Sequence, residues 1–274
     1  MPVSPTPHLQ SVVAARLRAS GCVFAEDEAR LLISAAETQD GLYALVERRA
    51  AGQPLEHVLG WAEFCGLRVA VDPGVFVPRR RTEFLVRQAA AVARRAADAG
   101  RACAGPAPVV VDLCCGSGAV GVALIAALDR AELHAVDIDP AAVRCARRNV
   151  GASGRVYEGD LYQPLPAALR GRVDVVVANA PYVPTGEVGL LPPEARVHER
   201  RMALDGGADG LDVLRRVAAA APLWLAPGGH LLAETSERQA RRTAEAVARD
   251  GLIPRVVGSS ELNATVVIGT RPAG

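Results

Sequence analysis

Two short stretches carry residue types that could do chemistry. The first is Val111-Asp112-Leu113-Cys114-Cys115-Gly116-Ser117-Gly118-Ala119-Val120-Gly121. Small residues let the backbone come close to a ligand, and a helix opening after Gly118 would offer free N–H groups. Asp137 falls at the end of the next expected strand, where a carboxylate can accept from ribose hydroxyls. A glycine loop between a strand and a helix, followed by such an acid, is the setting that nucleotide binding needs. Glycines also serve ordinary tight turns, and the same pattern suits a nicotinamide cofactor. Three features favour S-adenosylmethionine (SAM). Asp112 precedes the loop, where it can face a cation but would repel a pyrophosphate. Asp137-Ile138-Asp139-Pro140 runs straight into a helix with Asp139 as its cap. Gly159-Asp160-Leu161 follows a third strand, where one carboxylate and one apolar side chain can flank an adenine. The expected cofactor contacts are Asp112, Cys114, Gly116, Gly118, Asp137, Ile138, Asp160 and Leu161. For Asp112, bracing the loop is the competing role.

The second stretch is Asn179-Ala180-Pro181-Tyr182, directly after the expected strand Val173–Ala178. An ordinary turn leaving a strand has the same composition. Ligands of open α/β sheets bind at the carboxyl ends of strands, so this segment should face the glycine loop across one crevice. A methyl acceptor would sit there, with Asn179 also near the cofactor. Other chemistries lack their residues. All basic residues are Arg, which removes a P-loop, Schiff-base or general-base lysine. The five His (8, 57, 134, 198 and 230) show no HExxH and no ligand spacing, and no GxSxG elbow occurs. Cysteines at 22, 65, 103, 114, 115 and 145 form no CxxC, so no metal site is expected. Free thiols in a reducing, cytoplasmic setting are expected instead.

The elements that must position these residues follow from periodicity. Residues 8 to about 52 read as helices, with the stripe Leu9, Val12, Val13, Leu17 and another over Ala29–Ala36. Gly52-Gln53-Pro54 breaks them, Phe64–Val71 reads as a hairpin, and Asp72-Pro73-Gly74 closes it. Beyond residue 75, helix alternates with strand. Helices are expected at Thr82–Ala99, Ala119–Leu128, Pro140–Asn149, Leu211–Ala221 and Ser236–Asp250. Strands are expected at Pro108–Asp112, Leu133–Asp137, Arg155–Tyr157, Val173–Ala178 and His230–Glu234. This order predicts a doubly wound, mostly parallel α/β sheet. Arg255–Val257 and Ala264–Thr270 leave no room for a helix between them and should pair antiparallel at one edge. Residues 1–74 read as a small helical domain with a hairpin connector, and 75–274 as the catalytic domain.

The 274 residues are half apolar and 22% charged, with a net charge of +1, which excludes a disordered chain and disfavours a dedicated nucleic-acid binder. No apolar run reaches the length of a membrane span, and the amino terminus lacks a signal-peptide pattern.

Taken together, the two motifs resemble class I SAM-dependent methyltransferases acting on amino groups, whose usual second motif is Asn-Pro-Pro-Tyr. The likeness extends to the HemK/PrmC family of protein glutamine N5-methyltransferases. Gly52-Gln-Pro-Leu55, Gly60, Phe64, Gly66-Leu67, Val77-Pro78-Arg79 and Thr82-Glu83 resemble its connector. Glu194-Ala-Arg196, His198-Glu199, Ala203–Asp212, Pro227-Gly228-Gly229, Glu234 and Gln239-Ala240 also match. The resemblance covers about residues 25 to 270. It implies a Rossmann-like sheet of seven strands, a helical domain that recognises a protein substrate, and release-factor glutamine as the acceptor. Two departures mark the chain as a divergent paralogue. Ala180 replaces a proline, and Arg79-Arg80-Arg81-Thr82-Glu83 stands where the family has Arg-Pro-Glu-Thr-Glu. The second reverses charge beside the expected SAM pocket.

An amide nitrogen is a poor nucleophile because its lone pair is delocalised. Catalysis is therefore expected to work by alignment: the Asn179 side-chain oxygen and the Ala180 carbonyl accept the amide N–H groups, while Pro181 and Tyr182 wall the slot. Competing readings are a nucleic-acid adenine methyltransferase, a small-molecule N-methyltransferase, a non-catalytic SAM-binding module and a nicotinamide oxidoreductase. Near-neutral charge and 4% aromatic content count against nucleic acid as the direct substrate.

Overall fold

A computed structural model of the chain describes residues 4–96 and 107–273. The amino-terminal part is helical: α1 (Pro7–Ala19), α2 (Ala25–Ala35), α3 (Gln39–Ala50) and the short α4 (Leu55–Leu59). Their starts are set chemically. Thr6 accepts from the Leu9 N–H ahead of Pro7, and Thr38 accepts from the Gly41 N–H. Val13, Leu17, Ala29, Leu32 and Val46 bury one shared apolar stripe. The helix α4 follows the expected break at Gly52–Pro54; too short for a periodic pattern, it was not expected.

The hairpin forms from β1 (Trp61–Phe64) and β2 (Leu67–Ala70). Its two turn residues, Cys65 and Gly66, both have positive φ, the geometry of a tight hairpin turn. Phe64 and Val69 are buried in the same core as α5 (Glu83–Ala96) and the main sheet, so the hairpin is packed into that sheet's cover. Asn149 fastens it further, accepting from the Ala70 N–H (2.9 Å) and donating to the Ala70 carbonyl (2.8 Å) and the Ser117 carbonyl (2.8 Å).

The main sheet has seven strands: β3 (Val109–Leu113), β4 (Glu132–Asp137), β5 (Gly154–Glu158), β6 (Val173–Ala178), β7 (Leu225–Thr235), β8 (Ile253–Ser259) and β9 (Ala264–Thr270). Their order is β5-β4-β3-β6-β7-β9-β8, with β9 antiparallel to both neighbours and the rest parallel. The fold is therefore the expected doubly wound, mostly parallel sheet with an antiparallel pair at one edge.

Alternation along the strands divides the core. Val110, Val175, Val177, Leu232 and Ile268 face α5 and α6 (Ala119–Ala127). Val111, Val176, Leu231 and Val267 face α9 (Asp212–Trp224) and the far side. Both faces are covered, which is why β3 and β6 read as Val-rich runs, each interrupted by a single Asp. The helix α7 (Pro140–Val150) joins the first face, and α10 (Ala240–Arg249) packs on the edge strands.

Two boundaries differ in substance. β7 begins at Leu225, ahead of Pro227-Gly228-Gly229, because the Gly228 N–H reaches the Arg271 carbonyl (2.9 Å) and its pairing with β6 is irregular. The helix expected over Thr82–Ala99 begins as a 3-10 turn, Arg80–Thr82, and its expected end at 97–99 lies outside the described residues. Cys22, Cys65, Cys114, Cys115 and Cys145 are unpaired; Cys103 lies outside the described residues. No described helix is long and apolar enough to cross a membrane.

Candidate active site

Strand register builds the site. Leu113 faces Val136 on one side and Ala178 on the other, and Ala178 faces Ala233. The next residues along, Cys114, Asp137, Asn179 and Glu234, therefore form one row at the carboxyl edge. The chain winds outward from β3 to β5 and then returns to β6, so the topological switch point lies between β3 and β6. A cavity of about 470 Å³ opens there.

One half of the cavity is the glycine loop. Asp112 is buried, and its Oδ2 accepts from the Gly121 N–H (2.9 Å), so it does brace the loop while also lining the cavity. Asp137 accepts from the Gly116 N–H (2.8 Å) through Oδ2 and from the Asp139 N–H (2.9 Å) through Oδ1. A carboxylate has further lone pairs, so Asp137 can still receive ribose hydroxyls. Asp139 accepts from the Ala141 N–H (2.9 Å), the expected cap of α7. Cys114 and Leu161 are non-glycine residues held at positive φ on the cavity wall, a strained backbone that sequence does not announce. Ile138 and Asp160 line the same space, and Asp160 pairs with Arg216. Gly118 stands apart from the other expected contacts. It starts α6 at φ +78°, and a Cβ there would meet the Ala146 backbone at 3.3 Å, so its position answers to helix packing.

The other half is Asn179–Tyr182. The Asn179 amide donates through Nδ2 to Thr82 Oγ1 (3.4 Å), which leaves Oδ1 as the end available to a ligand. Ala180 is buried; Pro181 and Tyr182 line the cavity beside it. Several residues that sequence reasoning left without a role hold this segment. Val183 exchanges backbone hydrogen bonds with Leu204 (3.1 Å) and Gly206 (2.9 Å). A Cβ on Gly206 would lie 2.5 Å from the Pro181 carbonyl, so glycine is required for the close approach. Gln239 donates to the Tyr182 carbonyl (2.9 Å). The run Ala203–Asp212 and Gln239 had been visible as motifs; their place behind Tyr182 had no local signal.

The basic run divides. Arg79 pairs with buried Glu199 (2.5 Å), which also accepts from the Val77 N–H (3.1 Å). Arg81 pairs with buried Glu234 (3.2 Å), which also accepts from the Tyr182 hydroxyl (3.4 Å). Neither is a free solvated charge. The charged cluster after the Asn-Ala-Pro-Tyr segment divides as well: Glu194, on α8 (Pro193–His198), lines the cavity and meets buried Arg49 (2.6 Å), while Glu199 is internal.

Burial governs the acids and the phenol. It pushes the Asp112 carboxyl up to about 7, against the pull of the Gly121 N–H. Burial likewise raises Asp137 and Glu234. Burial and then the Glu234 charge raise the Tyr182 phenol to about 12, so it is a hydrogen-bond donor at neutral pH. Among the described residues no cluster of His, Cys, Asp or Glu could hold a metal ion.

A glycine loop and an Asn-Ala-Pro-Tyr segment flanking the switch point of a seven-stranded sheet define a methyltransferase. Residues 101–198 match the family described as "Methyltransferase small domain". A release factor glutamine methyltransferase of Geobacter sulfurreducens is 41% identical over 210 residues, covering 76% of this chain and 69% of that one. The chain belongs to the release factor glutamine methyltransferase family. A 4-amino-L-phenylalanine/4-methylamino-L-phenylalanine methyltransferase of Streptomyces pristinaespiralis is 40% identical over 195 residues, covering 71% of this chain and 65% of that enzyme. In fold, the chain is similar to a 16S rRNA N2 methyltransferase of T. thermophilus solved with AdoMet and guanosine (TM-score 0.52, 19% identity, 77% of this chain and 49% of that one).

Proposed function

We propose that this chain transfers a methyl group from SAM to the side-chain amide nitrogen of a protein glutamine, with a peptide chain release factor as substrate. The observation that carries this reading is the pairing of the braced glycine loop with Asn179–Tyr182 across one cavity. Family membership supports the acceptor. We assign residues 1–74 to substrate recognition, 75–274 to catalysis, and the activity to the cytoplasm.

The residues present fit SAM. The cavity has the volume of a nucleoside-sized site. Its buried Asp112 suits a cation, Asp137 keeps lone pairs for hydroxyls, and Asp160 with Leu161 can flank a base. We assign Cys114, Gly116 and Ile138 to the same site, with Gly118 shaping the loop from behind. When bound, SAM supplies an electrophilic methyl group on a sulfonium centre.

The chain's own residues then act by alignment. Asn179 Oδ1 and the Ala180 carbonyl accept the two N–H groups of the acceptor amide and point its nitrogen into the cavity. Thr82 holds the Asn179 amide from behind, so this geometry exists before the acceptor arrives. Carbonyl dipoles aimed at the nitrogen stabilise the positive charge that develops there. Positioning of this kind contributes about 7–11 kcal/mol in favourable systems. Pro181 and Tyr182 exclude water from the slot. The product is strongly acidic and loses its proton without a dedicated base. Replacing proline with Ala180 keeps the carbonyl and costs only rigidity.

The test is direct. Purified protein, SAM and an unmodified release factor from the same source are incubated, and peptide mass spectrometry looks for one added methyl on glutamine. Its appearance supports the reading. Tight SAM binding without methylation of the release factor would move the acceptor to another amide or amine. A ring amine such as the 4-amino group in the name of the Streptomyces pristinaespiralis enzyme would then come first.

A further inference from the structure

We propose that Arg81 makes the acceptor end of the cavity a carboxylate-binding subsite. This rests on the methyl-transfer reading above and adds a charged group that one of the two ligands presents beside the reacting centre.

Arg81 lines the cavity one residue before Thr82, which holds Asn179. Its Nε donates to Glu234 Oε1 (3.2 Å), and its guanidinium carbon lies 5.8 Å from the centre of the Tyr182 ring. These contacts use one of the five guanidinium N–H groups. The side chain is 46% exposed, whereas that of Glu234 is 2% exposed. The stem is therefore anchored to an internal carboxylate while the terminal fork stays available. A planar fork held in place suits bidentate pairing with a carboxylate, and little freedom remains to be lost on binding.

Sheet order separates this cation from Asp137 and Asp160, two of the cavity's other acids. Asp137 ends β4 and Glu234 lies near the end of β7, three strand spacings away in the order β4-β3-β6-β7, or roughly 14 Å. Asp160, beyond β5, is further still and already paired with Arg216. An anion entering beside Asn179–Tyr182 meets Arg81 without first meeting those carboxylates. Two carboxylates fit the subsite: one brought with the acceptor, by an acidic neighbour of the glutamine or by a free α-carboxylate, or the amino-acid carboxylate of the cofactor.

The experiment uses the full chain, as wild type, Arg81→Gln and Arg81→Lys, with circular dichroism as the folding control. Calorimetry compares S-adenosylhomocysteine with its decarboxylated analogue. Ligand-observed NMR then compares N-acetyl-L-glutamine with N-acetyl-L-glutaminamide on protein saturated with S-adenosylhomocysteine. Each pair differs by one carboxylate. In at least one pair, wild type binds the carboxylate member roughly tenfold tighter, as one charge-assisted pair allows. Arg81→Gln removes that preference and leaves the uncharged member within about twofold, while Arg81→Lys keeps part of it, a point charge without the fork. Loss in the first pair assigns the subsite to the cofactor's carboxylate; loss in the second assigns it to the acceptor's. A wild type with no preference in either pair, or an Arg81→Gln variant that keeps it, overturns the proposal and leaves Arg81 as a counter-ion for Glu234. If wild type binds neither nucleoside, the methyl-transfer reading itself fails, and this subsite with it.

Discussion

Asn179 and Asp112 make opposite demands on a substitution. Asn179 spends an amide N–H on Thr82, and in the proposed mechanism its oxygen receives the acceptor. Asn179→Ala removes the acceptor without touching the glycine loop. Turnover is expected to fall by about a hundredfold or more, as for loss of a preorganised polar group, while SAM affinity stays nearly constant. Calorimetry beside a methyl-transfer assay checks this; an equal fall in affinity would assign Asn179 to the cofactor. Asp112 should make cofactor binding depend on pH. Its carboxyl is held near 7 by burial, above its value in an unfolded chain. The proton is thus retained on folding, and the anion is the costly form. As pH rises from about 4 through 7, folding stability contributed by this group declines, while its attraction for a cation grows. SAM should therefore bind more tightly as pH rises through about 7, and Asp112→Asn should flatten that profile. A wild-type affinity flat across this window would remove Asp112 from contact with the cation.

At the scale of elements, the proposed acceptor slot depends on a segment that has no part in the proposed chemistry. Gly206 sits against the Pro181 carbonyl, and Val183 pairs with the strip Leu204–Gly206. Gly206→Ala is expected to displace Pro181 and Tyr182, lowering turnover strongly and destabilising the fold by about 1–3 kcal/mol, the usual cost of forcing atoms into a filled space. Denaturant unfolding together with turnover separates the two effects; unchanged turnover would show the slot to be independent of this backing. The central elements were legible because their causes are local. Val109–Leu113 and Val173–Ala178 are Val-rich, each with a single Asp, since both sheet faces are covered, and Asp139-Pro140 announces a helix start. The first half of β7 was not legible, because Pro227-Gly228-Gly229 has the composition of a turn and is a strand only through long-range pairing with Arg271. The same holds at the site. The glycine loop and Asn179–Tyr182 could be read from spacing, but Arg81 and Glu234 are 153 positions apart, and the left-handed backbone of Cys114 and Leu161 has no marker in residue type.

Across the whole molecule, buried Arg49 joins the helical half to the cavity. It makes a two-pronged pair with Glu28 (2.6 and 3.0 Å) and reaches Glu194 on α8 (2.6 Å). Arg49→Met strands Glu28 in the interior, and breaking such a pair costs about 3–5 kcal/mol. Glu194→Gln touches a half-exposed partner and should cost less than about 1 kcal/mol. Urea unfolding of the two variants checks the ranking; equal effects would mean that the Glu194 contact, lost in both variants, carries the stability and the internal Arg49–Glu28 pair adds none. The hairpin joint works at a finer grain. Asn149 grips the Ala70 N–H and carbonyl on one side and the Ser117 carbonyl of the glycine loop on the other. The hairpin cannot peel away without releasing the loop's grip. A single exchangeable proton, that of the Ala70 amide, is therefore a gauge of the nucleotide loop's integrity: its slowing when SAM binds would report, from outside the cavity, that the rivet has tightened.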